Sequence, residues 1–215
     1  MVIVNLISSS ITGSAPGPFK FYTMQEDIKK IISASISVKQ RLLADENLLK
    51  TTARVVDEMV KAFRSGNRIY FAGNGGSAAD AQHLAAEFSG RFYKDRLALP
   101  AEALHCNTSY LTAVANDYSF DEIYARLIRG IAHRGDILVG LSTSGNSANI
   151  VRAFEAAREK GVITVGFTGE SGGKMKTISD HLFNVPSGDT PRIQESHILL
   201  GHIVCELVEK EFFKS

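Results

Sequence analysis

From Met24 onward the chain opens with two stretches whose apolar residues recur at helical spacing. Ile28, Ile31, Ile32, Ile36 and Leu42-Leu43 mark the first; Leu48, Leu49, Val55, Val56, Met59, Val60 and Phe63 mark the second. Ser65-Gly66-Asn67 supplies the turn chemistry that ends it. Beyond this point short apolar runs alternate with helical patterns. Arg68–Ala72, Ala101–His105, Ile137–Leu141, Val162–Phe167 and His181–Val185 read as strands, and a last helix runs from about Arg192 to Phe213. Strands separated by helices imply crossovers and a parallel sheet covered on both faces. Ile137-Leu138-Val139-Gly140-Leu141 is almost continuously apolar, as a buried parallel strand requires. The expected fold is α/β: a doubly wound, flavodoxin-like parallel sheet sandwiched by helices, with extra N- and C-terminal helices.

Composition narrows the class. The 215 residues are 44% hydrophobic and 22% charged, and 24 Lys+Arg against 23 Asp+Glu give a net charge of +1. These values suit a globular chain with one substantial core. The charge balance gives no electrostatic footprint for nucleic acid and no basic face for a membrane, so neither is an expected partner. Nothing approaches the roughly 18 apolar residues of a membrane span. Cys106 and Cys205 form no CxxC pair and imply no disulfide framework, which makes a reducing cytoplasm the expected setting. The apolar start, residues 1–11, lacks a basic n-region and is broken by Asn5 and Ser8-Ser9-Ser10, so it fits a signal peptide poorly. With the linker-like Gly13-Ser14-Ala15-Pro16-Gly17-Pro18 behind it, residues 1–23 read as an appended leader or misplaced start, disordered or extended. Residues 24–215 then form a single domain.

Open α/β sheets bind ligands where strands hand over to helices, and two such junctions stand out. Ser142-Thr143-Ser144-Gly145-Asn146-Ser147 crowds hydroxyls and backbone N–H groups onto a helix N-terminus, whose partial positive charge and free donors suit a phosphate. The alternative is a serine cap at Ser147 and a glycine turn. The second junction is Gly73-Asn74-Gly75-Gly76-Ser77. Gly73-x-Gly75-x-x-Ala78 also fits a relaxed dinucleotide fingerprint, but the acidic residue at the right distance, Asp95, lies in a loop-like Lys94-Asp95-Arg96. Gly172-Gly173-Lys174-Met175 lacks the leading glycine and the Ser/Thr of a Walker A loop. No nucleotide cofactor is therefore expected.

Just after the glycine loop, His83 and Glu87 stand four residues apart on one helix face, as metal ligands, an acid/base pair or a surface couple without consequence. The last helix opens with Arg192, Gln194, Glu195, His197 and His202. Gln194 and His202 are separated by about 12 Å of helical rise, too far for an obvious shared ligand. Either Gln194 sits in a frayed turn or the two approach a site from different directions. His202 lies among Leu199, Leu200, Ile203 and Val204, where a core histidine is the ordinary reading. Asn116-Asp117 either reaches a polyol substrate or ends a helix.

In combination, the glycine loop, His83-x-x-x-Glu87, Gly90-Arg91, Asn116-Asp117, the serine loop and Arg192-Ile193-Gln194-Glu195-x-His197 resemble the sugar isomerase (SIS) domain and, within it, the phosphoheptose isomerases. The likeness spans about residues 24–213. It implies conversion of sedoheptulose 7-phosphate to D-glycero-D-manno-heptose 7-phosphate for bacterial heptose in lipopolysaccharide and other envelope glycans, by a cytoplasmic homotetramer with active sites between subunits. It also implies catalysis at Glu87 and His202, and one zinc ion per subunit at His83, Glu87, Gln194 and His202. Substrate contacts would fall at Asn74, Gly75, Gly76, Ser77, Glu87, Asn116, Asp117, Ser142, Thr143, Ser144, Ser147 and Gln194. An aldose–ketose exchange moves a proton between C1 and C2 through an enediol, so a base must take a proton and return it while an acid serves the sugar oxygen. Metal binding by Glu87 is in tension with that role. A different class resembles the same domain: non-catalytic phosphosugar-binding relatives, including one that associates with a replication initiator, which keep the serine loop and Arg-Ile-Gln-Glu. Glu87 and His202 speak for the enzyme, since a binding module needs no matched base and acid.

Overall fold

The computed structural model describes residues 18–214. The apolar start and most of the linker-like segment lie outside the described residues. The helix expected from Met24 begins at Pro18, so residues 18–23 are helical rather than disordered or extended. Proline suits a first helical turn, where its missing N–H has no helical partner and its fixed φ is already helical.

The helices α1 (Pro18–Ala44) and α2 (Glu46–Arg64) meet at Asp45. The Asp45 carboxylate caps α2 by accepting from the N–H groups of Asn47 and Leu48, both at 3.0 Å. Then follow β1 (Ile69–Gly73), α3 (Gly76–Ser89), β2 (Ala101–Ala103), α4 (Thr108–Asp117), α5 (Ile123–Ile131) and β3 (Ile137–Leu141). The chain finishes with α6 (Ala148–Glu159), β4 (Ile163–Thr168), β5 (His181–Asn184) and α7 (Thr190–Phe212). All five expected strands are present, two of them displaced by one residue and the first residue run after α3 shortened to three. The last helix starts two residues early because Pro191 again sits in its first turn.

Every strand pair is parallel, in the order β2-β1-β3-β4-β5. Alternate strand residues feed two cores. Ile69, Phe71, Ile137, Val139, Val165 and Phe183 pack beneath α2, α3 and α7. Tyr70, Ala72 and Leu138 face α5 and α6 through Ile123, Ile128, Ile150 and Phe154. α1 contributes Val38 and Leu42 to the first core, while Ile28, Ile31, Ile32 and Ile36 remain 50% to 55% exposed.

α7 is seated on the sheet by His197, which is wholly buried. Its Nε2–H donates to the Thr168 carbonyl at 3.2 Å, its ring stands edge-on to Phe167, and its Nδ1 is buried without a partner. Burial pushes its pKa down to about 4, against the single hydrogen bond that favours the charged ring. An unfolded histidine titrates near 6.5. The stability contributed by the neutral ring is thus complete above about pH 6.5 and is lost as pH falls toward 4, by roughly 3 kcal/mol in all. Urea midpoints should fall over that interval, and His197→Gln should flatten the dependence by one proton. An unchanged slope in that variant would refute the assignment.

Candidate active site

In this strand order the chain's progression across the parallel sheet reverses between β1 and β3, and the loops leaving those two strands face each other. They are cross-linked. Asn74 Nδ2 donates to Asn149 Oδ1 at 2.9 Å and Asn149 Nδ2 returns the bond to Asn74 Oδ1 at 2.8 Å. Asn149 is 1% exposed and Asn74 half-buried, and together they close an amide ring. On the other side Tyr124 of α5 donates its hydroxyl to the Gly73 carbonyl at 2.5 Å. Burial raises that phenol to about 12, which keeps it a donor at any physiological pH.

The hydroxyl loop is built around Ser142, which is buried. Ser142 Oγ lies 2.9 Å from Ser147 Oγ and 3.4 Å from Ser144 Oγ. Ser147 occupies the N-cap of α6, yet its side chain makes no cap hydrogen bond. The simple capping alternative therefore fails: the hydroxyl is turned to its neighbours and the first-turn N–H groups are not capped by it. Thr143 is half-buried between them. The turn at Gly145 is held by the Ser142 carbonyl accepting from the Gly145 N–H at 2.9 Å.

The polar cluster forms where α3 and α7 lie side by side and run the same way. His83 Nε2 is 2.9 Å from His202 Nε2 and 3.2 Å from Glu87 Oε1. Glu87 is 20% exposed, sheltered by the apolar residues around it. Higher up the seam Gln194 hydrogen-bonds Asp80, and its amide lies so close over Gly76 that a Cβ there would collide with it. Burial holds the Asp80 carboxyl above its ordinary range, against the Gln194 bond and the two histidines, and its Oδ2 is buried without a partner. Gln194 is in regular helix, not a frayed turn. The rise of about 12 Å that separates it from His202 is nearly matched by the roughly 10.5 Å from Gly76 to His83 on α3.

Of the four expected metal ligands, His83, Glu87 and His202 bring one ligand atom each within 4.8 Å of one another. Two imidazole nitrogens and a carboxylate oxygen are donors that zinc accepts, and three protein ligands leave a position for substrate. The two ring nitrogens at 2.9 Å can share one proton as N–H···N or turn both lone pairs to a shared cation. The residues fit a divalent ion, with Gln194 and the orphaned Asp80 oxygen at the margin.

Asn116 and Asp117 end α4, exposed and hydrogen-bonded to each other at 3.0 Å. Among the described residues no hydrogen bond joins them to either loop. Asp95 is exposed in the segment ahead of β2, not at the end of a strand where a ribose would need it. Sequence reasoning passed over Asp80 and Asn149. Asp80-x-x-His83-x-x-x-Glu87 is a readable one-face spacing, whereas the Asn74–Asn149 ring joins positions 75 residues apart and leaves no local trace.

Residues 34–169 match the SIS domain family. The phosphoheptose isomerase of Aneurinibacillus thermoaerophilus is 50% identical over 192 residues, covering 89% of this chain and 97% of that protein. Among solved structures, a phosphoheptose isomerase from Neisseria gonorrhoeae superposes with a TM-score of 0.82 at 41% identity, over 87% of this chain and 99% of its own. One from Francisella tularensis gives 0.83 at 31% identity, over 87% and 98%.

Proposed function

The chain belongs to the SIS domain family and, within it, to the phosphoheptose isomerases; we propose that it converts sedoheptulose 7-phosphate to D-glycero-D-manno-heptose 7-phosphate, a heptose unit for lipopolysaccharide and other envelope glycans. The observation that carries the reading is the meeting of Glu87 and His202, 115 residues apart in the sequence, in one cluster with His83 whose ligand atoms lie within 4.8 Å of one another, joined through the glycine loop to a hydroxyl loop suited to phosphate. Ser142, Thr143, Ser144 and Ser147, with the α6 N-terminus, hold the phosphate end. Asn74, Gly75, Gly76 and Ser77, fixed by Asn149 and Tyr124, lie between that end and the cluster and orient the sugar chain through backbone donors. Binding at the phosphate end is thus converted into alignment of C1–C2. Glu87 takes the proton from one carbon and returns it to the other, while His202 exchanges a proton with the sugar oxygen. Gln194 and the pair Asn116-Asp117 contact sugar hydroxyls. A zinc ion would be held by His83, Glu87 and His202, with Gln194 near, and would polarise the carbonyl; the proton transfers assigned to Glu87 and His202 require those two side chains to be off the ion.

This base-and-acid pair also favours the enzyme over a phosphosugar-binding or initiator-associating protein. The test is proton exchange by NMR in deuterated water with sedoheptulose 7-phosphate. Deuterium entering at the reacting carbon as the aldose forms is expected. No exchange by metal-replete protein would defeat the isomerase reading and leave the binding protein.

The same proposal extends to assembly and setting. The apolar stripe Ile28, Ile31, Ile32 and Ile36 on α1 is an interface in waiting, and a homotetramer would cover it. Light scattering should give a tetramer mass for the protein and a smaller one for Ile28→Glu/Ile32→Glu; a monomeric wild type would sink the idea. No helix among the described residues is long and apolar enough to cross a membrane. The free thiols Cys106 and Cys205 suit a reducing cytoplasm.

A further inference from the structure

Further along the same seam, toward the C-terminal end of α3, lies an ion pair that the chemistry does not use. Arg96 Nε and Glu209 Oε2 are 2.7 Å apart, and both side chains are 3% exposed. A pair this deep gives up the hydration of both charges, and well-packed apolar residues often serve stability as well or better. Stability is thus a poor account of it. Its contacts give a better one. Glu209 accepts from the backbone N–H groups of Phe92, Tyr93 and Lys94 at 3.2, 2.8 and 2.8 Å. Arg96 donates to the carbonyls of Glu87 and Phe88, in the last turn of α3, at 2.8 and 2.9 Å.

One partner therefore grips the backbone of the candidate base itself. The other sits on α7 seven residues after His202, two turns on and along the same face. We infer that Arg96 and Glu209 are positioning residues: they lock α3 against α7 and so hold Glu87 opposite His202. This rests on the isomerase reading above. Proton transfer tolerates little displacement, and a shift of about 1 Å caused far from the chemistry can cost about 10²-fold. Lysine at position 96 would keep the charge but lose the planar fork, so it could hold Glu209 or the α3 carbonyls but not both sets.

Arg96→Lys should lower kcat by about 10- to 100-fold while KM stays within about threefold, because the phosphate end is untouched. Phe154→Leu, in the core on the opposite face of the sheet, is the control for lost stability and should keep its kcat. Glu209→Gln should act in the same direction as Arg96→Lys, and the latter alone decides the matter if Glu209→Gln does not fold. Crystal structures supply a reading independent of turnover: in Arg96→Lys the Glu87 carboxylate and the His202 ring should move apart by about 1 Å. A kcat equal to that of Phe154→Leu, or an unmoved pair, overturns the inference. A wild type that does not turn over the ketose defeats the isomerase reading instead, and the crystal comparison still decides the role of the ion pair.

Discussion

Glu87→Gln is expected to lower kcat by at least about 10³-fold while affinity for the phosphorylated ketose changes by only a few fold. The amide has the shape of the carboxylate and keeps an oxygen toward His83, so the cluster survives, but it cannot accept and return a proton. In the proposed binding mode Ser142, Ser144 and Ser147 would hold the phosphate, and their hydroxyls contact one another rather than Glu87. Loss should therefore appear in kcat, with KM nearly constant. Because glutamine is also a poorer metal ligand, the ion content of the variant is measured beside its rate. A metal-replete Glu87→Gln that turns over within tenfold of wild type would remove Glu87 as the base. Asp80, whose Oδ2 is buried without a partner at the same seam, would then be the carboxylate to examine.

That the seam exists at all was beyond the reach of spacing. Periodicity within one helix says which residues share a face, and His83 with Glu87 was legible for that reason. It says nothing about what the face meets. Gln194 and His202 are remote along α7, and both meet α3, Gln194 at Gly76 and Asp80 and His202 at His83, only because α3 runs parallel beside them, with Leu84 pressed against Gly201 so closely that a side chain at Gly201 would not fit. The same limit governs α1. Ile28, Ile31 and Ile32 report that the helix has an apolar face, yet within one chain that face meets little; the pattern records burial without naming the partner. Strands were easier, since β1 and β3 are buried on both sides and read as plain apolar runs. β3 ends where expected, while β1 and β4 are shifted by a residue because hydrogen-bond register, not hydrophobicity, sets where a ladder stops. Whether Ser147 caps α6 needed coordinates as well: a cap and a phosphate donor demand the same residue type, and only the structure shows that its hydroxyl turns to Ser142 and makes no cap bond.

Gly145→Ala should strongly weaken binding at the phosphate end. Gly145 has φ +66°, where an L residue is strained by roughly 1 kcal/mol. The larger obstacle is space. A Cβ there would run into the Gly172 carbonyl, and a Cβ on Gly173 would in turn meet the carbonyl of Ser144. These are backbone atoms and cannot swing aside. The two turns are also stitched together: Met175 N–H donates to the Gly145 carbonyl at 3.1 Å, Gly169 N–H to that of Thr143 at 2.9 Å, and Lys174 N–H to Asn146 Oδ1 at 3.0 Å. Alanine must either break these bonds or push the hydroxyl loop toward the place a phosphate would occupy. The expected loss is several kcal/mol of stability together with a fall in ligand affinity of at least about 30-fold. Gly66→Ala isolates the strain alone, because Gly66 has φ +77° but nothing within 4 Å of its missing Cβ. It should cost about 1 kcal/mol and leave KM unchanged. Urea melts and calorimetric titration with the phosphorylated ketose compare the two. If Gly145→Ala merely matches Gly66→Ala in both measurements, the loop is not held by backbone contact and its shape does not set phosphate affinity. If it loses binding far beyond its loss of stability, the cradle depends on a hydrogen atom at Gly145 as much as on the hydroxyls beside it.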